Sequence, residues 1–176
     1  MKDQRAEIKG ILVEEFDSLR QRIIENHIRA RQKASGRTIA SLRVKVNDDK
    51  GTLFGRQAFG VLETGRKPGK VPKGFNEIIK QWIIDKGISI KNIPYKRKAT
   101  EKWSPKYTPK EKGLNTLAGA IAYKIKEEGT SLFNGGGRAD IYSPEIERTI
   151  QDIMNRAFAI FEDDVTHINL NSNEDT

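Results

Sequence analysis

Apolar positions recur along this chain at two periods, and each period predicts an element. Between residues 3 and 33, Ile8, Leu12, Phe16, Leu19 and Ile23 follow at steps of four, four, three and four. That spacing holds them on one stripe of a long helix, with charged residues on the other face. Ala34-Ser35-Gly36 breaks the helix, with Gly36 available for a left-handed cap. The period then falls to two. Leu42, Val44 and Val46 alternate with Arg43 and Lys45, the mark of a strand. Asn47-Asp48-Asp49-Lys50-Gly51 supplies turn chemistry for a hairpin into a second strand at 52–54. A third strand is expected at 57–63, with Phe59, Val61 and Glu63 on one face, completing an antiparallel meander.

The helical period returns at residue 75. Phe75, Ile78, Ile79, Trp82 and Ile83 form the expected buried stripe of a helix that Gly87 ends. A second helix is expected at 114–128, with Leu114, Leu117, Ala118, Ile121, Ala122 and Ile125 inward and Gly129 as its stop. A short strand is expected at 140–143. Ser143 as cap, Pro144 at the first position and Glu145 and Glu147 in the first turn then open a last helix. Its expected core stripe is Ile146, Ile150, Ile153, Met154, Ala157, Phe158 and Phe161. The sum is an α/β chain of the α+β kind: a small antiparallel sheet of three to four strands packed by about four helices. One domain is expected over residues 1–164, followed by an acidic flexible tail over 165–176.

Composition narrows the classes. Of 176 residues, 36% are hydrophobic and 32% charged, which allows a real core but a thin one. Such a balance also suits a subunit that buries its remaining apolar surface against neighbours. The absence of cysteine excludes disulfides and thiolate metal sites. The two histidines, His27 and His167, are too few for an imidazole-rich centre, so no metal or cofactor is expected. His27 is expected at the surface. No apolar run approaches the ~20 residues that cross a bilayer. The start, MKDQRAEIKG, lacks the apolar core of a signal peptide, so no membrane contact and a cytosolic site of synthesis are expected.

The net charge is +8, which favours phosphate or acidic partners, but its distribution says more. Residues 91–112 carry eight Lys or Arg against Glu101 and Glu111, whereas 162–176 carry five carboxylates and no Lys or Arg. Head-to-tail contact between subunits is one use of such a dipole.

Two stretches hold the candidate interaction residues. Residues 56–73, RQAFGVLETGRKPGKVPK, join the third expected strand to an exposed basic loop and offer Glu63, Arg66, Lys67, Lys70 and Lys73. Residues 91–112, KNIPYKRKATEKWSPKYTPKEK, read as a long extended basic arm with three prolines and offer Tyr95, Lys96, Arg97, Lys98, Trp103 and Tyr107. Cations interleaved with rings suit single-stranded nucleic acid, through phosphate pairing and base stacking. The same residues anchor protein interfaces, so docking on a neighbouring subunit stays open beside it.

Catalytic patterns are absent from the spacing. Asn134-Gly135-Gly136-Gly137-Arg138 lacks the spacing of a phosphate-binding P-loop. Glu63 beside Arg66 and Lys67 invites comparison with Mg²⁺-dependent nucleases, but such sites need a further acid close by. Asp48, Asp49, Asp85 and Asp140 are scattered. Glu127 and Glu128, adjacent on a helix, point apart. No enzyme is expected, and no catalytic residue is assigned.

Taken in order, the pieces resemble the small tail-completion and head–tail connector proteins of tailed phages, of the minor-tail-protein type. Those chains begin with a long helix and enter a sheet through Gly-Arg/Lys-x-x-x-Ser-Leu/Ile-x-Val; this chain has Gly36-Arg37-Thr38-Ile39-Ala40-Ser41-Leu42-Arg43-Val44. They continue with an aromatic strand and a V-E-x-G-T/R turn; this chain has Phe59-Gly60-Val61-Leu62-Glu63-Thr64-Gly65-Arg66, then Lys67-Pro68. The resemblance spans about residues 5–162. The additions at 75–87, 91–112 and 121–130 are similar to the neck ring proteins of crAss-like gut podoviruses. The resemblance implies a structural, non-enzymatic virion protein, assembled in the host cytoplasm. It implies a homo-oligomeric ring of twelve copies, or six, in the phage neck between portal and tail. Genomic DNA would pass through its lumen with non-specific contact. The alternative from the residues alone is a basic nucleic-acid-binding module using 91–112.

Overall fold

The first apolar stripe forms a 26-residue helix, α1 (Gln4–Arg29), which buries Ile11, Leu12, Leu19, Ile23 and His27. His27 is therefore not a surface residue. It lies four positions after Ile23, so the helix carries it onto the same buried stripe. The computed structural model describes residues 4–95 and 104–171, and the chain divides into two compact units. One comprises the chain through Gln32, Arg37–Glu63 and the chain from Arg138; the other comprises Lys33–Gly36 and Thr64–Gly137.

In the first unit, a single helical turn, α2 (Arg37–Ala40), leads into the hairpin of β1 (Arg43–Val46) and β2 (Gly51–Phe54). The register pairs Arg43 with Phe54, Val44 with Leu53, Lys45 with Thr52 and Val46 with Gly51. The Asn47 N–H donates to Lys50 O across the turn at 2.9 Å. Arg43 and Lys45 are exposed and Val44 and Val46 half-buried, as the alternation requires.

The third strand does not form. Residues Gln57–Val61 make a 3-10 helix, and the sheet of the described residues has two strands. The Phe59 N–H donates to Arg56 O and the Leu62 N–H to Phe59 O, so this backbone satisfies itself locally. The three-residue repeat sends Phe59 and Leu62 to the core and leaves Val61 exposed, where alternation would have buried it. The expected strand at 140–143 is likewise absent, being bends leading into a helix. Leu19, Ile23, Leu42 and Ile141 form the centre of this unit, with Phe16, Leu53, Phe59, Leu62 and Tyr142 around them.

The last helix, α6 (Ser143–Asn171), packs on α1 and runs past residue 164, where the tail was expected to begin. Its orientation reverses the expected one. Arg22 forms an ion pair with Glu145 at 2.8 Å and donates to Thr149 Oγ1 at 2.7 Å. Asn26 donates to Glu145 at 3.1 Å, and Arg156 donates to Glu14 at 2.6 Å and Glu15 at 2.8 Å. The polar face is thus turned to α1. Ile146, Ile150, Met154, Phe158 and Phe161 are exposed, and of the expected core stripe only Ile153 and Ala157 are half-buried.

In the second unit, α3 (Phe75–Asp85) packs on α4 (Pro109–Glu128). Ile79, Ile83, Ala118 and Ala122 are its buried centre, with Leu114, Leu117, Ile121 and Ile125 packed around them. Trp82 and Ile78, expected inside, are exposed. Ile79 and Ile83 are the buried residues of α3 in the cluster, with Phe75 packed against them, and the small Ala118 and Ala122 lie opposite on α4. α4 starts earlier than expected. Thr108 and Glu111 form a reciprocal capping box, with Pro109 at the first position. The extended segment is therefore shorter than 91–112, because its last four residues are helical. A short helix, α5 (Ser131–Asn134), capped by Thr130, follows. None of the helices described is long and apolar enough to cross a membrane.

Candidate interaction site

Glu63 is the last residue of the first unit before the chain enters the second, and Arg138 is the first on its return. The two are joined: the Arg138 N–H donates to Glu63 O at 2.9 Å. The Glu63 side chain is 4% exposed and turns into the residues that open α6. Its Oε1 accepts the backbone N–H groups of Ile141 at 2.8 Å, Tyr142 at 2.7 Å and Ser143 at 3.0 Å. Its Oε2 accepts the Ser143 hydroxyl. Burial pushes the carboxyl up, but the Ser143 hydroxyl and the three N–H groups outweigh it and hold Glu63 below the ordinary glutamate value. Burial and the nearby Glu63 charge push the Tyr142 phenol up.

This arrangement is a staple. One carboxylate satisfies donors at a helix start that would otherwise be orphaned. The Ser143 hydroxyl, expected to cap α6, instead donates to Glu63, and the Tyr142 carbonyl accepts the first helical hydrogen bond from Ile146. Nothing local in the sequence marks the staple, since its partners lie 78 to 80 positions away. With both oxygens engaged by donors, Glu63 has little left for a cation. Among the described residues no group of three or more His, Asp or Glu side chains could hold a metal ion.

The basic loop after Glu63 is positioned by α4 and α5. The Arg66 N–H donates to Thr130 Oγ1 and Arg66 O accepts from the Thr130 N–H, both at 2.9 Å. The Gly69 N–H donates to Lys126 O at 2.8 Å, filling a carbonyl at the open end of α4. Gly65, at φ +69°, makes the close approach possible: a Cβ there would stand 2.5 Å from Phe133 N. At Gly129, φ +83°, it would stand 2.7 Å from Arg66 O. Arg66 itself is tied in. Its guanidinium donates to Lys70 O at 2.8 Å and lies over the Phe75 ring at 5.5 Å. Lys67, Lys70 and Lys73 are exposed.

Of the basic arm, Tyr95 and Tyr107 fall in described segments, whereas Lys96, Arg97, Lys98 and Trp103 lie outside the described residues. The Lys112 ammonium stands 4.2 Å from the centre of the Tyr95 ring, and the Ile93 N–H donates to Pro109 O at 3.0 Å. The first part of the arm therefore returns along the start of α4. Tyr107 is exposed, with the Lys106 ammonium 5.4 Å from its ring. The structure brings Glu63 into a buried hydrogen-bond cluster and Arg66 into the loop scaffold. It leaves Lys67, Lys70 and Lys73 outward. Comparison of the chain with family models, with curated proteins and with solved structures finds no match.

Proposed function

We propose that this chain is a non-enzymatic structural subunit that forms a ring in the neck of a tailed phage, joining portal to tail around the DNA channel. The observation that carries the proposal is Glu63, the one acid of the V-L-E-T-G-R stretch, fully engaged in fastening the start of α6. An acid used this way serves architecture, which favours an assembly role over the nuclease comparison. The exposed Lys67, Lys70 and Lys73 on a loop fixed to α4 supply a surface for an acidic neighbour. The same cations could meet passing DNA through sparse, sequence-independent contacts. A ring of heterologous contacts needs two different surfaces that match and a rotation that closes. The ring would hold twelve copies, or six, and sit in the virion after assembly in the host cytoplasm.

Native mass spectrometry of the purified chain, alone and with the portal of the same genome, tests this directly. The expected result is a closed oligomer, or a monomer that assembles on the portal. A chain that stays monomeric and ignores the portal overturns the proposal. The alternative is a nucleic-acid-binding module, favoured by the exposed Lys106–Tyr107 pair at the edge of the basic arm. It predicts binding to single-stranded DNA that falls steeply with salt, and loss of that binding on reversing Lys96, Arg97 and Lys98.

A further inference from the structure

Helix α6 presents an apolar stripe on the side away from α1. Ile146, Ile150, Met154, Phe158, Phe161 and Val165 follow at steps of four, four, four, three and four, and each is 40 to 68% exposed. The stripe runs on the order of 30 Å along the helix. A helix on the surface of a lone subunit turns its apolar side inward. Here the ion pairs of Arg22 and Arg156 fix the opposite orientation, so the exposed stripe is built into the fold. Together the six side chains expose roughly 600 Å², a large part of the ~800 Å² that each partner contributes to a standard interface.

We infer that this stripe is covered by the same stripe of a second copy, with the two α6 helices antiparallel. The spacing is close to its own mirror image. A two-fold axis between residues 155 and 156 sets Ile146 opposite Val165, Ile150 opposite Phe161, and Met154 within one residue of Phe158. Charge selects the direction. Antiparallel pairing brings Arg148 of one copy near Glu162 and Asp163 of the other, twice by symmetry, which offsets the like charges of Glu147 and Asp164 that it also brings together. Parallel pairing in register would set Glu147 and Glu162 beside their own copies, and like charges repel. Gln151 and Asn155, joined by a 2.8 Å hydrogen bond, edge the stripe near the axis with uncharged groups. The contact is isologous, whereas a ring between two different neighbours needs heterologous surfaces, so the pair is a state of the chain outside the assembled ring.

The chain has no cysteine, so single thiols report the pairing directly. Met154→Cys, next to the axis, is expected to link two full-length chains when treated with a short bis-maleimide. Ile146→Cys alone is expected not to link, whereas a mixture of Ile146→Cys and Val165→Cys chains does. Phe158→Glu and Ile150→Glu alter side chains already in water. They should keep the wild-type circular dichroism and raise the dissociation constant of the pair about a hundredfold or more. Linkage of Ile146→Cys to itself, failure of Met154→Cys to link, or unchanged association of both glutamate variants overturns the inference. A ring that persists in native mass spectrometry while these links fail overturns the pairing alone.

Discussion

Glu63 concentrates more structural work than any other described side chain of its stretch, and its replacements separate charge from hydrogen bonding. Glu63→Gln keeps an oxygen for the three N–H groups and loses the charge, at an expected cost of about 1–2 kcal/mol. Glu63→Ala leaves buried donors unmade and should cost about 3 kcal/mol or more in urea denaturation. The pH dependence has a definite sign. A carboxyl held below its unfolded value stabilises the fold fully above that unfolded value, about 4.3 for glutamate, and the contribution is lost as pH falls through the folded value. The stability difference between wild type and Glu63→Gln should therefore shrink as the solution is acidified below about pH 4. Gly65 is the second informative residue. Gly65→Ala meets both a positive φ and the Phe133 backbone, with an expected loss of about 2–4 kcal/mol. At Gly119, inside α4, a Cβ meets nothing within 4 Å. There alanine should stabilise by about 0.5–1 kcal/mol.

Among the elements, α6 shows how a few polar contacts can decide which side of a helix faces in. Hydrophobicity alone would turn Ile150, Met154 and Phe158 to the core, yet Arg22 and Arg156 bind the opposite face to α1. The two arginines should differ in weight. Arg22 and Glu145 are about 20% exposed, so Arg22→Ala leaves a largely desolvated carboxylate and should cost about 3 kcal/mol. Arg156 is 40% exposed and bridges Glu14, 66% exposed, and Glu15, 13% exposed, so Arg156→Ala should cost about 2 kcal/mol, with the Glu14 share lost at high salt. Chemical denaturation at low and high salt separates the two. α4 is the opposite case, a helix whose start is written locally. Thr108, Pro109 and Glu111 spell a capping box with proline at the first position, a signal sufficient to place the start five residues before Leu114.

In the whole molecule, two cores are built from different parts of the chain. Ile23 anchors one and Ile83 the other, and both are fully buried. Ile23→Ala and Ile83→Ala should each cost about 2–4 kcal/mol, and the double variant should lose close to the sum, because the two side chains belong to separate clusters. Hydrogen exchange would assign each loss: protection should fall around Leu19 and Leu42 in the first variant and around Ala118 and Ala122 in the second. Equal loss of protection in both clusters from either single variant would reject the division.

Local patterning determined α1, the β1–β2 hairpin, α3 and α4, because period, turn residues and caps act within a few positions of one another. It also placed a basic loop directly after Glu63, but not what the Glu63 carboxylate binds. Three outcomes needed the tertiary structure. Residues 57–61 became a 3-10 turn because Phe59 and Leu62 found the core three positions apart. Thr64–Gly137 formed a unit with its own centre, and α6 turned its polar face inward. In each, the deciding partners lie far away in sequence: Leu19, Ile23 and Ile141 for Phe59 and Leu62, Ala118 and Ala122 for Ile79 and Ile83, and Arg22, Glu14 and Glu15 for α6. A helix's periodicity fixes which residues share a side, and only the groups that meet it fix which side is buried.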